Sequence, residues 1–210
     1  MPDTLLPRIH TYCDDLTKHF VDIPEPRKEA LKSLSSYLEG KYKKGETPQV
    51  IVICTHNSRR SHLGQVWLAA GATYYGLPEI NTFSGGTEAT AFNSRAVATL
   101  SRVGFEITAE QPGTSNPRYQ LKWESSMEPY EAYSTKFDET PNPTNNFGAI
   151  MVCDHADENC PVILGADFRI ALPFEDPKAY DETALESQKY DERCQHIGTE
   201  MLYVLSQIQM

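Results

Sequence analysis

One stretch constrains the fold of this chain more than any other. Val50–Ile53 is a run of β-branched apolar residues, which predicts a short buried strand. The chain continues directly into a polar segment, residues 54–61, and then into a helical pattern from Leu63 to Tyr75 that stops at Gly76. The sequence therefore predicts a strand, a loop and a helix, with the loop at the carboxyl end of the strand.

The loop carries a cysteine and an arginine with five residues between them, Cys54 and Arg60. A loop of this length can curl so that its backbone N–H groups bind an anion, and the helix N-terminus that follows adds positive potential. Arg60 supplies a planar fork for a tetrahedral oxyanion. We expect Cys54 to be a thiolate at neutral pH, because helix N-termini and cations stabilise the ionised sulfur. These features predict a cysteine nucleophile inside an oxyanion-binding loop; the alternative is a structural cysteine after a strand.

Composition restricts the class of protein. A chain of 210 residues fits one domain, or one domain with an appendage. Its net charge of -10 argues against a nucleic-acid partner, and no apolar run approaches the roughly 20 residues of a membrane span. Its five cysteines are an odd number without framework spacing, and we see no secretory signal. We therefore expect a reduced, cytoplasmic protein that needs no cofactor.

Residues 1–46 predict a helical N-terminal extension. Leu6, Ile9, Cys13, Leu16 and Phe20 recur at helical spacing, and Pro24 and Pro26 separate this stripe from a second helix that carries Leu31, Leu34 and Leu38. The apolar stripe packs either against the main domain or against a second subunit, so a homodimer through these helices is one expected partner arrangement.

Residues 47–210 predict a domain of alternating strands and helices. Further strands are expected at 80–84, 149–153 and 168–172, and Gly85-Gly86 is expected to form a turn. Helices are expected from Asn93 to Gly104 and over about 181–207. This order predicts a flavodoxin-like three-layer α/β sandwich with a four-stranded parallel sheet. Ligands of such sheets bind at the carboxyl ends of the strands, where Cys54 lies.

The segment 110–147 interrupts this alternation and is expected to be an insertion or lid. It contains five prolines, and the partly alternating stretches Arg118–Glu124 and Glu131–Phe137 indicate a small hairpin.

From residue 49 onward the chain resembles the low-molecular-weight protein tyrosine phosphatase superfamily, and within it the thioredoxin-coupled arsenate reductases. The resemblance depends on three motifs: Cys54-Thr55-His56-Asn57-Ser58-Arg59-Arg60-Ser61, Ser84-Gly85-Gly86-Thr87-Glu88, and Cys153-Asp154-His155-Ala156-Asp157-Glu158-Asn159-Cys160-Pro161 followed by Phe174-Glu175-Asp176-Pro177. His56 stands where the family usually has glycine, and Arg59 replaces a small residue. Because glycine is preferred where a loop needs positive φ, a histidine there is expected to cost energy.

The resemblance implies arsenate reduction. Cys54 attacks arsenate held by the loop and Arg60, and Asp176 protonates the departing oxygen. Cys153 then attacks the adduct and releases arsenite, and Cys160 takes over the disulfide, which thioredoxin reduces. The family pattern also implies that Asn57 holds the loop in shape and that Ser61 donates a hydrogen bond to the Cys54 thiolate. No metal is expected, because paired C-x2-C ligands are absent from the sequence.

Two other functions fit the same residues. A phosphatase acting on phosphotyrosine or another phosphomonoester needs only Cys54, Arg60 and Asp176. A non-catalytic phosphate-binding module is indicated by His56, Arg59 and the extra helices.

Overall fold

The computed structural model of the protein describes residues 5–153 and 162–210. Its centre is a four-stranded sheet in the order β2-β1-β6-β7, formed by β1 (Gln49–Cys54), β2 (Asn81–Gly86), β6 (Phe147–Met151) and β7 (Ala166–Ala171). All three pairings are parallel, so the prediction of a four-stranded parallel α/β sheet is confirmed. The order reverses between β1 and β6, and a crevice is expected at the carboxyl ends of these two strands.

Five α-helices accompany the sheet in the described part of the chain. They are α1 (Pro7–Lys18), α2 (Glu25–Lys43), α3 (Arg60–Tyr74), α4 (Ser94–Val103) and α5 (Glu186–Ser206). Helix α4 begins and ends as predicted: the Asn93 side chain accepts a hydrogen bond from the Arg95 amide, and Gly104 ends the helix at φ 129°. Helix α5 begins at Glu186, later than the predicted residue 181, because residues 181–185 form turns that follow a 3₁₀ turn (Pro177–Tyr180).

The two predicted N-terminal helices pack on the rest of the chain. The residues that α1 buries, Ile9, Cys13 and Leu16, belong to the same apolar core as the sheet and α3. Helix α2 packs on β7, and both α1 and α2 pack on α5. Helix α5 also packs against α3 and α4, so it joins the N-terminal helices to the sheet-bound ones.

The middle of the chain forms a second, antiparallel sheet of three strands, β3 (Glu106–Ala109), β4 (Tyr119–Lys122) and β5 (Tyr130–Ala132). The predicted hairpin corresponds to β4 and β5, whereas β3 lies outside the predicted segment. The expected turn at Gly85-Gly86 is wrong. Both glycines belong to β2, and residues 135–137 exchange backbone hydrogen bonds with Gly86 along its free edge.

No helix in residues 5–153 or 162–210 is both long enough and apolar enough to cross a bilayer.

Two helical glycines allow the packing against α5 to be tested. A Cβ added at Gly198 would lie 2.9 Å from the Trp67 ring and 2.9 Å from Leu16 Cδ1, whereas one added at Gly40 would meet nothing within 4 Å. We expect Gly198→Ala to destabilise the protein by about 1–2 kcal/mol through overpacking. Gly40→Ala, the matched control, should stabilise it by about 0.5–1 kcal/mol through helix propensity. Urea unfolding midpoints measure both; a stabilised Gly198→Ala would contradict the packing.

Candidate active site

The loop between β1 and α3 is held from outside by its carbonyl oxygens. Five successive carbonyls accept hydrogen bonds from other parts of the chain: Cys54 from Thr87 N (3.2 Å), Thr55 from Glu88 N (2.8 Å), His56 from Thr90 Oγ1 (3.0 Å) and Ser134 Oγ (3.2 Å), Asn57 from His62 Nε2 (3.0 Å), and Ser58 from Asn93 N (2.9 Å). The C=O and N–H of one trans peptide point in opposite directions. The N–H groups of residues 55–59 therefore point away from the groups that hold these carbonyls, as an anion-binding loop requires.

The Cys54 thiol lies at the start of this loop and is 4% exposed. Its Sγ is 3.1 Å from Ser61 Oγ. Ser61 Oγ also accepts a hydrogen bond from Asn57 Nδ2 at 2.9 Å, so its own hydrogen is available to donate to the sulfur. The structure thus brings Cys54, Asn57 and Ser61 together as the sequence predicts.

Asn57, and not His56, carries the unusual backbone conformation of the loop. Its φ is 43°, a region that asparagine visits more readily than most residues, whereas His56 does not have a positive φ. The energetic cost expected at His56 is therefore absent. The His56 side chain is about half exposed at the rim, 3.8 Å from the Glu88 carboxylate.

The two adjacent arginines have different partners. Arg59 donates to Tyr190 Oη at 2.6 Å and pairs with Asp181 at 2.9 Å, so its charge is neutralised by residues around the start of α5. Arg60 donates to the Phe174 carbonyl at 2.8 Å and to Asp176 Oδ2 at 2.6 Å. Both arginines are therefore ion-paired, and the structure places Arg60 beside the predicted acid.

Cys153 follows β6, which pairs with β1, and its Sγ is 3.4 Å from Thr55 Oγ1. Cys54 and Cys153 are both free thiols. Cys160 lies outside the described residues. The loop and the first two predicted thiols are therefore gathered at the β1/β6 crevice.

Sequence reasoning missed the residues that support the loop from β2, α3 and the middle segment. His62 is fully buried and connects the Asn57 carbonyl with Ser84 Oγ, 3.1 Å from its Nδ1. Thr135 N donates to Asn57 Oδ1 at 2.8 Å. A Cβ at Gly86 would lie 2.8 Å from the Thr55 carbonyl and 2.7 Å from Asn57 N, so this position has no room for a side chain. Of these supporting residues, only the Gly85-Gly86 pair stands out in the sequence.

Burial lowers the pKa of His62 to about 3. A neutral ring agrees with its contacts, because Nε2–H must donate to the Asn57 carbonyl and Nδ1 then accepts from Ser84. The unfolded chain binds a proton near pH 6.5 and the folded chain does not, so His62 supports stability above that pH and loses this contribution as the pH falls toward 3.

We therefore expect acid to destabilise the wild type more than His62→Gln, which keeps a donor for the carbonyl. Between pH 6.5 and pH 5 the free energy of unfolding of the wild type should fall by about 2 kcal/mol more than that of the variant. Urea unfolding at several pH values measures this difference. Replacing an exposed histidine, His19→Gln, is the control and should follow the wild type; equal pH slopes for His62→Gln and the wild type would refute the neutral buried ring.

No protein-family model and no curated protein matches the sequence. Solved structures do match the fold. A low-molecular-weight phosphotyrosine phosphatase from Vibrio cholerae O395 aligns over 76% of this chain and 95% of its own, at 14% identity and a TM-score of 0.52. One from T. tengcongensis aligns over 76% and 99%, at 14% identity and 0.51. A mutant of YwlE from Bacillus subtilis aligns over 78% and 100%, at 13% identity and 0.52. The chain therefore has the fold of the low-molecular-weight protein tyrosine phosphatases.

Proposed function

We propose that this chain is a phosphomonoesterase that forms a phosphocysteine on Cys54. The observation that supports the proposal most is the anchoring of the five carbonyls of residues 54–58 to other elements, which turns the following amides away from those elements and leaves them free to bind an anion beside Cys54. Inward amides, a helix N-terminus and a guanidinium are the groups that bind a tetrahedral dianion. The fold shared with low-molecular-weight phosphotyrosine phosphatases also supports this chemistry.

The reaction has two halves. Cys54 Sγ attacks phosphorus while the bond between phosphorus and the leaving oxygen breaks, and Asp176 gives that oxygen a proton. Water then attacks the phosphorus of the phosphocysteine and Asp176 takes a proton from it. The P–S bond breaks, the Cys54 thiolate is regenerated and inorganic phosphate is released. Arg60 and the loop amides hold the equatorial oxygens and stabilise the charge of the transition state.

Two hydrogen bonds fix the position of Asp176. One carboxylate oxygen accepts from Arg60 at 2.6 Å, and the other accepts from Lys178 N at 3.0 Å at the start of the 3₁₀ turn. The acid is therefore held next to the arginine that would bind the phosphoryl group, and its side chain is 35% exposed, open to an incoming substrate.

Aryl phosphate hydrolysis tests the proposal. We expect Cys54→Ser to abolish turnover, because no nucleophile remains. Asp176→Asn should lower kcat/KM for phenyl phosphate by about 10²–10⁴-fold, the usual contribution of a general acid. Asp15→Asn, on the exposed side of α1, should behave as the wild type. Turnover that survives Cys54→Ser would exclude the phosphocysteine route.

Arsenate reduction is the second candidate, favoured by the position of Cys153 against Thr55 of the loop. Cys54 attacks arsenate and water leaves with the proton of Asp176. Cys153 then attacks the Cys54 sulfur, the electron pair of the S–As bond passes to arsenic, and arsenite departs. Arsenic is reduced by two electrons and two thiols are oxidised to a disulfide. Cys160 exchanges into that disulfide, and the thiols of thioredoxin reduce it.

A thioredoxin-coupled arsenate assay beside the phosphatase assay separates the two functions. For a reductase, Cys153→Ser should abolish arsenate turnover and leave aryl phosphate turnover within about threefold of wild type, since hydrolysis needs only the first thiol. Cys194→Ser is the matched control, because the Cys194 sulfur is buried in the core on α5, where it accepts a hydrogen bond from the Trp67 indole. Aryl phosphate turnover without arsenate turnover would leave the phosphatase alone. Phosphate binding without either activity would favour the non-catalytic module.

A further inference from the structure

We propose that Arg27, on the N-terminal helix α2, is a positioning residue for the loop of residues 173–176 that presents Asp176. The inference rests on the proposed function, since it assigns Arg27 to the placement of the general acid. It also gives the N-terminal helices a part in catalysis that packing alone does not.

Arg27 binds two elements at once. Its Nε donates to both carboxylate oxygens of Glu200 on α5 at 2.9 Å, and its Nη2 lies 2.8 Å from Glu200 Oε2. The same Nη2 donates to the Pro173 carbonyl at 3.3 Å, and the guanidinium carbon lies 4.9 Å from the centroid of the Phe174 ring. The Glu200 side chain is 2% exposed and that of Arg27 is 19% exposed, so salt screens this pair less than it screens a surface ion pair.

The opposite side of the same loop is held by Arg60. The Phe174 carbonyl accepts from Arg60 Nη1, and Asp176 accepts from Arg60 Nη2. Phe174 N also donates to the Val152 carbonyl at 3.1 Å, beside the crevice. Residues 173–176 are therefore held by one guanidinium group from the oxyanion loop and one from the N-terminal extension, and Glu175 also pairs with Arg193 of α5 at 2.9 Å.

The position of Phe174 determines the position of Asp176. Its side chain is buried, with the Arg27 guanidinium 4.9 Å from its ring centroid and the His196 ring edge-on at 5.1 Å. Asp176 follows two residues later, so a displaced Phe174 would shift the acid relative to Arg60. A displacement of about 1 Å is enough to impair a positioned catalytic group.

The contacts require arginine in particular. Glu200 uses the Nε edge of the guanidinium, Pro173 uses an Nη2 hydrogen, and the planar group approaches the Phe174 ring, so three functions fall on one rigid fork. A lysine would keep the charge beside Glu200 and lose the fork. This distinction makes Arg27→Lys the informative variant, because it does not leave the buried carboxylate without a counter-charge.

Two variants and a matched control test the inference. Arg27→Lys keeps the ion pair, and the double variant Arg27→Met with Glu200→Gln removes both charges together. Lys41→Met is the control: Lys41 is also a buried cation of α2, and it pairs with Asp167 at 2.6 Å, in contact with no residue of the acid loop. Each protein is assayed with phenyl phosphate, a poor leaving group, and with 2,4-dinitrophenyl phosphate, a good one.

Only the poor leaving group needs a well-placed proton donor. We expect both Arg27 variants to lower kcat/KM for phenyl phosphate by about tenfold and to change that for 2,4-dinitrophenyl phosphate by less than about twofold. The control variant should leave kcat/KM unchanged for both substrates. Equal losses on both substrates, no loss on either, or the same selective loss in Lys41→Met would overturn the positioning role.

Hydrogen–deuterium exchange tests the positioning of this loop independently of turnover. In both Arg27 variants the amides of residues 172–180 should exchange faster than in the wild type, while those of β1 and β2 should not; unchanged exchange at 172–180 refutes the inference even in an inactive protein. The proposed function fails separately, if Cys54→Ser retains turnover or if Asp176→Asn shows no dependence on the leaving group.

Discussion

The site depends on one constraint, the fixing of consecutive peptide carbonyls on the outside of the loop between β1 and α3. When the N–H groups of a loop lie on one side, its carbonyls lie on the other side, and each carbonyl needs a hydrogen-bond donor there. Here those partners come from the β2 end, the α3 start, the α4 cap and the middle segment. This arrangement is how a chain of net charge -10 would hold the anion that we propose as its ligand. In the proposed site the groups that face the anion are oriented peptide dipoles and the Arg60 guanidinium, so the overall charge of the protein does not decide whether it binds.

The middle segment is part of this support. Ser134 and Thr135 reach the loop at the His56 carbonyl and the Asn57 side chain, and the next residues pair with Gly86 at the edge of β2. The segment therefore does two things at once: it covers a free sheet edge, which would otherwise be open to unwanted pairing, and it braces the residue with φ of 43°. Another element outside the central sheet also contacts a loop near the crevice: Arg27 of α2 donates a hydrogen bond to the Pro173 carbonyl.

Local signals allowed much of the fold to be predicted, and long-range contacts account for what was missed. The Val50–Ile53 run, the Asn93 cap and Gly104 each act within a few residues, so the sequence shows them directly. Gly85-Gly86 resembles a turn because glycine favours turns, yet it is a strand whose neighbours leave no space for a side chain. Arg59 binds Tyr190 and Asp181, which lie more than 120 residues away in the sequence, and no local pattern predicts these contacts. The positions of Cys54, Asn57 and Ser61 followed from the motif, whereas His62 had no motif to mark it.

The two candidate chemistries share every step up to the adduct on Cys54, so the substrate itself has a part in deciding between them. Phosphorus(V) in a phosphocysteine has no accessible two-electron reduction by a thiol, so water must complete that reaction. Arsenic(V) has one, and a neighbouring thiol can then act as the second nucleophile. The parallel register of β1 and β6 places Cys153 beside the loop, with Thr55 next to its sulfur, and this position holds whichever oxyanion enters. On this argument the presence of Cys153 does not oppose hydrolysis; it adds a route that only a reducible oxyanion can take.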